Sequence, residues 1–178
     1  ACGVVLHPLI DAMIEVSRKT NRPAAEVDQV EVQVHPDVIR ITGVDQPGSG
    51  LMSKFSANHA AAVAYIDQAA GVAQFTNERA EDSNVQSLRK LIQVKPVPAF
   101  RLDQSAALVR TKTGTTFESK IAHATGTVEN PMSDQALLAK FLGNAEPVIG
   151  RDRANKVADV IWTLDTLDDI GELVRICV

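Results

Sequence analysis

One stretch of this chain, Ala57 followed by Ala60-Ala61-Ala62-Val63-Ala64, has almost no polar face. Alanine has the strongest intrinsic preference for helix, and a helix that is apolar all round belongs in a core. The fold therefore has to accommodate a deeply buried helix over residues 53–67, with Phe55, Ala62, Val63 and Ile66 as expected inward positions. Its start can still present charge to a bound anion, because Lys54-Phe55-Ser56-Ala57-Asn58-His59 brings in a cation and an imidazole there.

The remaining chain supplies what surrounds that helix. A length of 178 residues allows one domain with a real core, or a domain plus an appendage. Aromatic residues make up only 4%, so alanine and valine must fill much of the core. A net charge of -4 argues against a nucleic-acid partner, which calls for a basic patch. No apolar run reaches the ~20 residues that span a bilayer, so no membrane role is expected. Cys2 and Cys177 stand at opposite ends, without zinc spacing and too few to hold an iron–sulfur cluster. They read as reduced thiols, and from that usage a cytoplasmic location is expected. The chain opens Ala1-Cys2-Gly3 without an initiating Met, as if cut from something longer.

Periodicity sets the order of elements. Leu9, Ile10, Met13, Ile14 and Val16 recur at helical spacing over 7–19, with Pro8 in the first turn and Asn21-Arg22-Pro23 as the stop. Strict alternation from Val30 to His35 reads as a half-buried strand ended by Pro36. Residues 38–42 read as another short extended piece, and 46–50 as a loop of turn formers. Ser83 is a candidate cap for a short helix carrying Val85, Leu88 and Leu91. Strand character returns over 91–97, 106–113 and 116–123, with a hairpin at Gly114. Helical texture resumes after Asn130-Pro131, with Ser133 as a cap, then 151–164, then Ile170 to Ile176. The expected class is α+β: a small antiparallel sheet packed with helices, followed by a C-terminal helical segment. The expected organisation is an α+β domain over 1–130 and C-terminal helices over 131–178.

Few residues stand out chemically. His7 precedes Pro8 at a helix start, where an imidazole can act as general base or acid near neutral pH. Lys54 and His59 are five apart and would lie roughly 140° apart on a regular helix. They converge only if Lys54 sits at or before the helix start, which Ser53 or Ser56 as cap would allow. Free N–H groups, a lysine and a serine hydroxyl together make a carboxylate cradle. His35 and His123 read as strand-end surface residues. The four histidines form no metal motif, and phosphate-loop, dinucleotide and nucleophile-elbow motifs are absent.

The ordered set of motifs resembles the MmgE/PrpD family. Ala1-Cys2-Gly3 through His7-Pro8-Leu9-Ile10-Asp11-Ala12 is similar to the stretch that opens the second half of those proteins. Val30-Glu31-Val32 through His35-Pro36, Ser53-Lys54-Phe55-Ser56, the segment 75–85 with Glu81-Asp82, and Trp162-Thr163-Leu164-Asp165 follow in the family's order. The family includes 2-methylcitrate dehydratase, cis-aconitate decarboxylase and iminodisuccinate epimerase. The resemblance implies a smaller α+β domain plus helices that return to a helical N-terminal domain, with the active site between the two. It implies that His7 and Lys54 line that cleft; His59 stands where some members place a catalytic tyrosine. By that reading His7 carries the proton and His59 is a second catalytic donor. Lys54 binds substrate carboxylate together with Ser53 and Ser56, and no metal or other cofactor is needed.

The implied function is half the active site of a lyase or isomerase acting on a di- or tricarboxylic acid. Its partners would be a small polycarboxylate, the helical N-terminal domain and further copies in a homo-oligomer. The competing reading is a non-catalytic metabolite-binding or dimerisation module derived from that family.

Overall fold

Strand β1 (Val27–Val34) buries Val30, Val32 and Val34 and turns Glu31 and Gln33 to the opposite face. That alternation fixes which side of the sheet the core must occupy. β2 (Ile92–Pro96), β3 (Ser105–Thr111) and β4 (Thr116–Ile121) complete a sheet of order β2-β1-β3-β4. Val30 stands between Ile92 and Val109, and Val32 between Val94 and Ala107, so one apolar face is continuous across three strands. On the other face Glu31 pairs with Lys95 at 2.6 Å and Asp28 with Arg110 at 2.8 Å. These coordinates are a computed structural model that describes residues 2–177; Ala1 of the opening tripeptide lies outside the described residues.

The fold is α+β, and its sheet is mixed rather than purely antiparallel. β3 and β4 form the expected hairpin, with Gly114 at φ +84°, but β1 and β2 run parallel. Parallel neighbours need a long crossover. Here it contains α2 (Pro36–Thr42), α3 (Gly50–Ser53), α4 (Ala57–Asp67), α5 (Asn77–Glu81) and α6 (Ser83–Arg89). The helix preceding β1, α1 (His7–Thr20), packs on β3, β4 and α4, while α4 also meets β2 and α6. The alanine-rich helix is thus enclosed, with Ala60, Ala61, Ala62, Val63 and Ala64 all at 0% exposure.

Three local expectations change. Residues 38–42, expected as an extended piece, are helical. Pro36 occupies the first turn and the Asp37 N–H donates to His35 Nδ1 at 3.1 Å, a cap that outweighs the β-branched content. The helix expected over 53–67 is two helices broken at Lys54-Phe55, and Phe55 faces outward, 46% exposed. Asp82, not Ser83, caps α6, accepting from the N–H groups of Asn84 and Val85.

The chain divides into two units, Ala1–Pro131 and Met132–Val178. The second holds α7 (Asp134–Ile149), α8 (Arg151–Trp162) and α9 (Gly171–Cys177). Ser133 caps α7 by accepting the Ala136 N–H at 3.2 Å, and Gly150 at φ +79° separates α7 from α8. Among the described residues of this unit only Ala154, Val157 and Ala158 are buried. No helix among the described residues is long and apolar enough to cross a membrane.

Candidate active site

The turn at Lys54 is where three stretches of chain meet. Ser49 starts α3 by accepting the Met52 N–H. Lys54 closes that helix and Ser56 opens α4 by accepting the His59 N–H at 3.1 Å. Gly43 bridges to Ser56, and the Val44 N–H donates to the Phe55 carbonyl at 3.2 Å. From the N-terminal side, the Gly3 N–H donates to the Lys54 carbonyl at 3.3 Å. Gly3 leads through the 3₁₀ turn Val4–Leu6 into His7, the first residue of α1. The backbone therefore ties the segment that leads into α1 to the Lys54 turn.

His7 and Lys54 are both half-buried there. The His7 N–H is taken by the Val4 carbonyl and Pro8 has none, so a carboxylate next to the start of α1 would meet the positive end of the helix dipole. Asp11, one helical turn after His7, accepts the Thr125 N–H at 2.7 Å. It thereby ties the segment after β4 to the same face of α1. Sequence reasoning quoted Asp11 as part of a motif but gave it no role, because its partner lies 114 residues away.

The other candidates are turned inward. Ser53 is fully buried and its hydroxyl donates to the Gly50 carbonyl at 2.7 Å. Ser56 is fully buried and its hydroxyl is engaged as the helix cap. His59 is also at 0% exposure, packed against Phe75 with ring centroids 5.5 Å apart. Its Nε2 lies 2.8 Å from the Gln74 carbonyl oxygen. A carbonyl only accepts, so Nε2 carries the proton and Nδ1 is bare; Nδ1 is buried without a hydrogen-bond partner. Burial pushes the imidazole pKa down, the Gln74 bond opposes this, and Arg89 and Arg79 depress it further. The sequence placed Lys54 and His59 together at the mouth of one helix. The structure leaves Lys54 half-buried in the turn and seats His59 in the core, because Ser56 caps the helix three residues before it.

The Gln74 carbonyl is held by a polar network absent from the sequence reading. The Gln74 amide donates to Asp67 at 3.2 Å, and Arg79 bridges Asp67 and Asp82, the latter at 3.0 Å. Its legible signal was Arg79 and Asp82 at a helical spacing of three. A further cluster, Asp103, His123 and Glu129, places one ligand atom from each within 4.8 Å of the others. The Arg101 guanidinium already pairs with Asp103 at 2.7 Å and contacts His123, so this is an ion-paired surface cluster.

Residues 1–166 match the family model of the MmgE/PrpD C-terminal domain. The chain belongs to the MmgE/PrpD family. It is similar to cis-aconitate decarboxylase of Mus musculus, 24% identical over 158 residues. That alignment covers 86% of this chain and 32% of the relative, so the chain spans about a third of the relative's length.

Proposed function

We propose that this chain supplies one wall of the active site of a lyase or isomerase acting on a di- or tricarboxylic acid. The Gly3–Lys54 backbone bond, which ties the segment leading into α1 and His7 to the Lys54 turn, is the observation that supports the reading. The reaction changes bonding at a carbon next to a carboxylate. His7 takes or delivers the proton there, and Lys54 with the positive end of the α1 dipole holds a carboxylate as negative charge develops. His59, Ser53 and Ser56 act as positioning residues that fix the turn. The opposite wall comes from a helical segment preceding this chain in the parent protein. Val4 at 72% exposure, Leu51 at 69%, Met52 and Phe55 lie on the elements around the turn and give that wall an apolar surface to cover. The parent protein is a homo-oligomer in this reading.

The name of the murine relative makes cis-aconitate the first substrate to test, with 2-methylcitrate and iminodisuccinate beside it. Turnover and proton exchange at the α-carbon would be followed by NMR in D2O, using the parent protein. His7→Ala and Lys54→Ala should each lower kcat/KM by about 100-fold or more while leaving the unfolding midpoint in place. Undiminished activity in both variants would remove these residues from the site. A folded parent protein inert toward every acid would leave the non-catalytic metabolite-binding or dimerisation module as the better reading.

A further inference from the structure

Helix α1 packs on β3 and β4, and the chain that leaves β4 at Ile121 comes back to it. Residues 123–130 form a closed loop on the way. The Thr127 hydroxyl donates to the Ala124 carbonyl at 2.9 Å, and the Gly126 N–H to the Asn130 carbonyl at 2.8 Å. The Asn130 amide donates to the His123 carbonyl at 3.1 Å. The Ala124 N–H donates to the Asp103 carbonyl at 3.1 Å, which ties the base of the loop to the stretch before β3. Ala124 is buried, while Thr125 and Gly126 are exposed. An ordered loop held at the surface by a rigid scaffold is the kind of element that carries binding groups. The Thr125 N–H, donating to Asp11 Oδ2 at 2.7 Å, fixes where this loop sits on α1. A helical side chain leans toward the N-terminus of its helix and covers the turn before its own Cα. For Asp11 that turn holds His7 and Pro8, four and three residues earlier and on the same face. The bond therefore puts the Thr125–Gly126 backbone over the first turn of α1, beside His7. Fold stability does not call for it, since α1 is already held by its packing on β3, β4 and α4.

We propose that Asp11 is a positioning residue for the site at His7: it holds the loop 123–130 so that Thr125 and Gly126 form one rim of that site and contact the bound acid. The proposal rests on the reading of His7 and Lys54 given above and deepens it. Thr125 brings a hydroxyl that can donate to a carboxylate or hydroxyl of the substrate. Gly126 brings backbone with no side chain in the way of a ligand. Contacts of this kind are made to substrate and transition state alike, so they act on KM more than on kcat.

The test has two arms. In NMR spectra of the 178-residue chain, nuclear Overhauser contacts are expected between the His7 side chain and Thr125 or Gly126, and Asp11→Ala should abolish them. In the longer protein proposed above, with the acid it turns over, Asp11→Ala should raise KM by about tenfold and leave kcat within about twofold. Asp11→Asn, whose Oδ1 accepts the same N–H, should bring KM back to within about threefold of the unsubstituted protein. The proposal is overturned if a folded Asp11→Ala variant keeps the original KM, if Asp11→Asn is as impaired as Asp11→Ala, or if the contacts to His7 are missing. The contacts need no variant, so they decide should Asp11→Ala not fold. Activity lost in His7→Ala but unchanged in Asp11→Ala overturns this proposal and leaves the function standing. A longer protein inert toward every acid overturns both.

Discussion

An imidazole with no exposed surface has to settle both of its nitrogens inside the protein, and His59 settles one. Nε2–H reaches the Gln74 carbonyl, and Nδ1 is left bare among groups that penalise a second proton. The folded-state pKa is therefore depressed below the ordinary histidine value of 6.5. Above that value both folded and unfolded chains hold a neutral ring, and His59 adds no pH dependence. As the pH falls through it, the unfolded chain takes up a proton that the folded chain refuses, so stability is lost, by up to about 1.4 kcal/mol per pH unit for one proton. Urea unfolding at about pH 7.5 and about pH 5.5 should show the parent losing more stability on acidification than His59→Gln. Equal losses would mean that another group carries the acid sensitivity. The residues Lys54 and His59 were visible in the sequence as a pair, but their divergence was not. It depends on which of two serines caps the helix, and Ser53 and Ser56 are equally good caps by composition.

At the scale of elements, the Lys54 turn depends on how α3 is anchored. The Gly50 N–H donates to Asn77 Oδ1 at 2.8 Å. A Cβ on Gly50 would stand 2.5 Å from the Phe75 carbonyl oxygen, 2.7 Å from the Thr76 carbonyl carbon and 2.9 Å from the Asn77 nitrogen. All three are backbone atoms, so no rotamer change relieves the contact. Gly50→Ala should destabilise the chain by about 1–3 kcal/mol in urea unfolding. Gly48→Ala is the control, since a Cβ there meets nothing within 4 Å, and it should be close to neutral. A Gly50→Ala variant as stable as the control would show that α3 is not clamped to 75–77. Elements with strong internal period, such as α1, β1 and the β3–β4 hairpin, could be read from the chain alone. The helix α2 could not, because its Val38, Ile39, Ile41 and Thr42 carry strand propensity and only its cap says otherwise. Nor could the parallel pairing of β1 with β2, since strand neighbours separated by a long crossover leave no local signal.

For the whole molecule, the distribution of burial sets the distribution of stability. The first unit closes a core from α1, α4, α6 and the sheet, with Leu6, Leu9, Met13, Val16, Val63 and Leu88 all within 1% of full burial. The second unit buries Ala154, Val157 and Ala158, which are small side chains, and leaves Leu137, Val148, Ile161, Trp162 and Val174 exposed. Apolar burial contributes about 25 cal/mol per Å², so three such residues cannot offset the ordering of α7, α8 and α9 by themselves. Opening of these helices should therefore require far less free energy than global unfolding. Native-state hydrogen exchange should find the amides of α1, α4, β1 and β3 exchanging slowest. Those of α7 to α9 should exchange faster by about two orders of magnitude or more. Equal protection in both units would mean that the C-terminal helices are held by something other than their own buried side chains. In the longer protein proposed above, by contrast, the same amides should slow if a preceding helical segment covers their apolar faces. That difference between chain and parent would report the docking without any assay of turnover.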